Sequence, residues 1–304
     1  MRHPSDPRRA AAWTRSWCGP EQEMRWGYLL LAGVVSAAAG AVTLGQRRWR
    51  QKTAALRATM RAACAPLSVT TYDRHEIEAL PPPVKRYFDA VLQNGQAMVT
   101  SVQFSQEGQF RQDEHKDTWQ PFHATQFATM HPPGFDWDAR IRMAPGVDVW
   151  VRDAYAFGAG SLRASVLGLV TVADVHDTAE SARGELMRYL AEAAWYPTAL
   201  LPSQGVRWEG IDDTSARATL TDGAAAVTLE FRFGTDGLIA TVWAASRPRS
   251  ATESAPWLCR VSGYEQRAGM WVPVRGEVEW QLPNGPAPYF RGRMTDIDYA
   301  FAGR

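Results

Sequence analysis

Cysteine is scarce in this chain of 304 residues: Cys18, Cys64 and Cys259 are widely spaced and odd in number. No CxxC pair exists, which excludes a disulfide framework and a zinc site built on four cysteines. The six histidines (His3, His75, His115, His123, His131, His176) include no i, i+4 pair and no HExxH arrangement, so no metal is expected. A Walker-type loop, a GxGxxG after a strand and a GxSxG elbow are missing too, and no cofactor is expected. Gly158-Ala159-Gly160-Ser161 reads as a turn between strands, and Ser161, Ser165 and Ser203 have no motif-level partner. Excess charge is lacking as well: 33 basic residues face 32 acidic ones, and 45% of the chain is hydrophobic. That balance excludes wholesale disorder, collagen-like repeats and a many-span membrane protein.

The near-zero total hides a split. Up to residue 66 eleven basic residues stand against Asp6, Glu21 and Glu23, a local charge of +8, which leaves −7 for residues 67–304. An acidic folded region has no electrostatic footprint for nucleic acid, so none is expected as a partner. The positive charge brackets one uncharged stretch, WGYLLLAGVVSAAAGAVTLG at 26–45. As a helix rising ~1.5 Å per residue it would cover ~30 Å, the thickness of a bilayer core. Arg47, Arg48, Arg50 and Lys52 follow at once and predict an uncleaved anchor with the C-terminal side in the cytoplasm of a bacterial inner membrane. The alternatives are a secretory signal peptide ending at Ala37-x-Ala39, a buried Ala/Gly-rich helix, and an extracytoplasmic domain. Residues 1–25 then form a tail, and Met24 leaves the true start open. Residues 46–66 carry a basic juxtamembrane helix, with Trp49 at interface depth beside Arg47, Arg48, Arg50 and Lys52, and membrane lipids are the expected partner.

Residues 67–304 read as one β-rich domain. Pro81-Pro82-Pro83 opens a short helix at 84–92 whose apolar face is Tyr87, Phe88, Val91 and Leu92. Beyond Met98 the period becomes two. Phe135, Trp137, Ala139, Ile141 and Met143 alternate with Asp136, Asp138, Arg140 and Arg142, and Val147, Val149, Val151, Tyr155 and Phe157 share a second face. Turns at Pro145-Gly146, Asp222-Gly223, Asp236-Gly237 and Asn284-Gly285 separate about ten or eleven strands in an antiparallel meander. One amphipathic helix interrupts it, with Asp177 and Glu180 resembling a capping box and Pro197 as the stop. The fold class is mainly β (α+β): a curved sheet or half-barrel with one or two helices on its concave face.

The segments LPPPVKRYFDAVL, HPPGFDWDARIRMAPGVDVWVRDAYAFGAGSLRASVLGLV, LMRYLAEAAWYPTALLP and PYFRGRMTDIDYAF resemble an uncharacterised bacterial family with an N-terminal hydrophobic segment. The order of strands and helices is also similar to the half-barrel of the lipoprotein carriers of Gram-negative periplasms. The resemblance implies no catalytic residues, and the periplasmic site of those carriers is in tension with the basic flank. In the ladder Asp136, Asp138, Arg140, Arg142 the carboxylates could serve as acid and base, but alternation predicts a solvent face with cross-strand ion pairs from Arg152 or Asp148. Asp212-Asp213 reads as a turn, and Cys259 as a small core residue. The expected function is a membrane-tethered, non-enzymatic binding module for an apolar or lipid-like ligand, lined by Phe135, Trp137, Ile141, Tyr155, Phe157 and Trp195. The alternatives are an enzyme acting on a small hydrophobic substrate in the same cavity, which needs a buried charge on the apolar side, and a structural partner of another membrane protein.

Overall fold

A computed structural model describes residues 20–113 and 116–303, apart from the side chains of 20–28 and 30. The tail expected at 1–25 lies outside the described residues as far as 19. Helix α1 (Pro20–Ala63) runs through the stretch predicted to be an anchor and the basic segment behind it. Among the described residues no helix is long and apolar enough to cross a membrane. Alanine and glycine fill 37–41, and their small side chains contribute little of the apolar area that makes a Leu-rich span insert. The chain divides into two compact units, one ending at Leu44 and one from Gly45 to Arg304.

The second unit is built on thirteen strands rather than ten or eleven. The first six are β1 (Val99–Phe110), β2 (Gln120–Thr129), β3 (Gly134–Ala144), β4 (Val147–Ala156), β5 (Ala159–Val166) and β6 (Val170–His176). After helix α3 (Ala179–Glu192) and three short 3₁₀ turns come β7 (Arg207–Asp212), β8 (Ser215–Asp222), β9 (Ala225–Phe233), β10 (Ile239–Pro248), β11 (Ser254–Arg267), β12 (Met270–Leu282) and β13 (Gly285–Phe301). All pair antiparallel in one sheet ordered β6-β5-β4-β3-β2-β1-β13-β12-β11-β10-β9-β8-β7. The chain thus walks from the centre to one edge, crosses once, and walks back from the other edge until β13 closes against β1.

That single crossover places α3. It starts at a capping box formed by Thr178 and Ser181, one step on from the Asp177 and Glu180 expected, and lies against β5 and β4 of one arm and β9 and β10 of the other. Ala182, Leu186, Tyr189 and Leu190 are buried beneath it. Helix α2 (Pro82–Val91) contacts β7, β8 and β12, so both short helices pack on the sheet as the apolar patterns predict. Tyr155 on β4 donates a 2.7 Å hydrogen bond to Asp222 at the end of β8, tying the two arms together.

A glycine row makes room in the middle. Gly276, Gly292 and Gly108 sit side by side on β12, β13 and β1, and Phe122 on β2 continues the row. The Phe122 ring stacks on Phe290 with centroids 5.2 Å apart, in space that side chains on Gly108 and Gly292 would claim. A Cβ on Gly276 would touch the Trp195 ring. Aromatic rings therefore sit directly on the backbone of the central strands.

Candidate functional site

Between the sheet and α3 lies a cavity of about 550 Å³, within the range of about 300–1,000 Å³ usual for small-molecule sites. Its wall is apolar: Val149 and Val151 from β4, Trp257, Cys259 and Val261 from β11, and Val278 and Trp280 from β12 contribute to it. Burial pushes the Cys259 thiol up to about 12, which leaves it a neutral wall residue.

Charged groups nevertheless line the same space. Glu185, Arg188 and Glu192 project from one face of α3, Asp153 from β4 and Arg247 from β10. Arg188 donates to Asp153 and, at 2.7 Å, to Glu192, and its guanidinium lies 4.8 Å from the Phe135 ring centroid and 5.1 Å from that of Trp137. Burial alone would lower Arg188, but Glu192, Asp153 and Glu185 hold its guanidinium above the usual range. Arg247 donates to the Gly184 carbonyl at 3.2 Å, pairs with Glu185 at 3.5 Å and rests against Trp257 and Trp280. Burial, with Asp153 next to it, pushes the Glu185 carboxyl up to about 8 against the pull of Arg247 and Arg188. Asp153 Oδ1 and Glu185 Oε2 are both buried without a partner, and the two carboxyls are close enough to hydrogen-bond, so one proton between them satisfies both.

Residues 78–299 match the family of unknown function DUF6920. The chain belongs to that family. No curated protein matches this DUF6920 chain in sequence. Among solved structures, a LolA superfamily protein from Nitrosomonas europaea aligns at 10% identity and a TM-score of 0.39, covering 77% of this chain and 94% of its own. A β-barrel-like protein of domain DUF1849 from Brucella abortus aligns at 10% identity and a TM-score of 0.27, covering 69% of this chain and 100% of its own.

In this DUF6920 chain Trp137, Ile141 and Trp195 line the cavity. Phe135 lies below it under Arg188, and Tyr155 is buried at the contact between the arms. Phe157 leaves the face altogether: β4 ends at Ala156, Phe157 and Gly158 make the hairpin turn with positive φ, and the ring is 52% exposed. Asp153 has the parity of Val149, Val151 and Tyr155, and Glu185 is spaced three and seven residues from Arg188 and Glu192. Those spacings were the available signal for the charged group that the site contains.

The ladder on β3 is corrected most. Asp136 is 0% exposed and Asp138 is buried, because the part of α1 beyond Gly45 covers that face. Arg57 bonds Asp136 at 2.6 Å with Arg152 at 3.3 Å, while Trp49 and Thr53 each donate to Asp138 at 2.9 Å. Arg142 and Asp148 form the exposed ion pair that alternation predicts. Trp49, expected at a membrane interface, is 5% exposed and meets Trp150 edge-on at 6.0 Å, whereas Arg47, Arg48, Arg50 and Lys52 are exposed. Among the described residues no group of His, Cys, Asp and Glu is arranged to hold a metal.

Proposed function

We propose that this chain is a non-enzymatic binding module that holds an apolar, lipid-like ligand between the sheet and α3. The observation carrying this reading is the wall of the cavity, in which aliphatic and aromatic side chains from both arms and the helix enclose about 550 Å³. Native mass spectrometry of the full chain, released from membrane-containing cells, tests it. A lipid-sized adduct is expected, and Ala164→Trp, which fills the cavity from β5, removes it while the fold is kept. Bare chain alone, with no uptake of added long-chain alcohol, overturns the reading.

The tether in this proposal is supported by the uncharged stretch 26–45 and the basic flank behind it, which put the β-rich unit on the cytoplasmic side of a bacterial inner membrane. Reporters fused after Arg304, one active only in the cytoplasm and one only outside it, decide: outside activity alone, or release of the chain in soluble form, overturns the placement. One observation favours a second reading as an enzyme on a small hydrophobic substrate, namely that two buried carboxyls, Glu185 and Asp153, lie together on the cavity wall, burial pushing Glu185 up to about 8 as a general acid requires. Turnover of hydrophobic esters that is lost in Glu185→Gln would establish it.

A further inference from the structure

We infer that the cavity selects an amphiphile with a primary amine at the end of its hydrocarbon body, the ammonium taking the place of the proton shared by Asp153 and Glu185. The inference rests on the binding reading above and names the chemistry of its ligand. Its starting point is which polar atoms of the wall are unmet. Asp153 Oδ1 and Glu185 Oε2 are buried acceptors that no protein donor reaches, so only a proton held between them meets either. Pure hydrocarbon offers these two oxygens nothing and leaves the proton where it is.

The two cations that touch the pair, by contrast, are occupied. Arg188 is bonded to Asp153 and Glu192 and stacked on Phe135 and Trp137, and Arg247 is held by the Gly184 carbonyl and Glu185 between Trp257 and Trp280. A carboxylate or phosphate on the ligand would have to displace protein carboxylates from Arg188 and Arg247. An ammonium displaces only a proton and brings three donors to these two oxygens.

Binding therefore releases one proton from the pair. Besides Asp153, the groups facing Glu185 across the cavity are the guanidiniums of Arg111, Arg188, Arg247 and Arg249, the Glu192 carboxyl bonded to Arg188 and Gln126, and the Cys259 thiol and Tyr289 phenol. Burial raises both Cys259 and Tyr289, which keeps them neutral, so the carboxyl pair is the group that exchanges the proton. Affinity for an amine then rises with pH, by up to about tenfold per unit, until the pair is ionised. The amine itself stays protonated to about pH 10.

The test is titration of the full chain with dodecylammonium, dodecanol and dodecanoate, each below its micelle concentration, followed by tryptophan fluorescence at pH 6 and pH 8. Dodecylammonium is expected to bind at pH 8 at least about tenfold tighter than dodecanol, to lose that advantage at pH 6, and to exceed dodecanoate at both. Glu185→Gln is expected to remove the amine preference and its pH dependence. Equal or tighter binding of dodecanol or dodecanoate at pH 8, or an amine affinity unmoved by pH, overturns the inference and leaves the binding reading standing. Binding of none of the three overturns both. The comparison of pH values on the unaltered chain decides even where Glu185→Gln does not fold.

Discussion

At Asp136 and Asp138 two carboxyls on one face of one strand titrate in opposite directions. Burial wins at Asp136 and raises it despite Arg57 and Arg152; at Asp138 burial is outweighed by Arg140, Trp49 and Thr53, and the carboxyl is held low. Glu185, pushed up to about 8, belongs with Asp136. The signs follow from proton counts. From its unfolded value near 4.3 up to about 8, Glu185 keeps a proton in the folded chain that the unfolded chain gives up, so its contribution is fully present below about 4.3 and is lost as pH rises. Asp136 adds to that decline just above its own unfolded value. Asp138 works the other way: its contribution is present above about 3.9 and is lost as pH falls through its lowered folded value. Urea midpoints are therefore expected to fall from pH 5 to pH 8 and to fall again in strong acid, with Glu185→Gln flattening the first limb and leaving the second. A midpoint that rises steadily to pH 8 in the unaltered chain contradicts the assignment. Removing Arg57 is a harsher change, because it strips one partner from a carboxyl with no access to water. Arg57→Ala is expected to cost about 3–5 kcal/mol in chemical denaturation, in line with other broken buried pairs.

Among the elements, alternation in β3 identifies which residues share a face but says nothing of what lies on that face. Phe135, Trp137 and Ile141 do point inward, yet Asp136 and Asp138 are covered by a helix some eighty residues earlier in the chain, a contact no local period can announce. The helix pattern in α1 holds the complementary signal, since Trp49, Thr53, Arg57 and Met60 recur at helical spacing and form its buried stripe. Its basic and alanine-rich composition masks that stripe, which mixes an aromatic, a hydroxyl, a cation and a thioether. The glycine row was equally hidden, because its three members come together only after β12, β13 and β1 are paired. A Cβ on Gly108 would stand 2.0 Å from the Arg291 carbonyl oxygen and 2.9 Å from the Phe122 ring. Gly108→Ala is thus expected to force β1 and β13 apart and to lower stability by at least about 1–3 kcal/mol. A melting temperature equal to that of the unaltered chain would show that the row has room for a side chain at Gly108.

For the whole molecule, the turn signals and the two-residue period establish an antiparallel meander, and the lone helix before Pro197 marks where it is interrupted. What they leave out is that the interruption carries the chain from one edge of the sheet to the other. That crossover brings Glu185, Arg188 and Glu192 to Asp153 of one arm and Arg247 of the other, so the charged part of the site exists only at the level of the complete fold. The same holds for the helix on the outer face of β3 and β4. Gly45–Arg304 is one compact unit, and its first nineteen residues supply Trp49, Thr53 and Arg57 to Asp136 and Asp138. A chain shortened to begin at Gly45 keeps every one of these bonds and is expected to melt at the temperature of the full chain. One shortened to begin at Cys64 loses them together. It uncovers Asp136, Asp138 and Arg152 and the Trp150 ring, and it is expected to lose well over the cost of Arg57→Ala. Thermal melts of the two chains side by side separate a helix that is part of the fold from one that only connects it. Equal melting temperatures would make the segment from Gly45 to Ala63 a spacer, with the carboxylates of β3 on the solvent face that their alternation predicts.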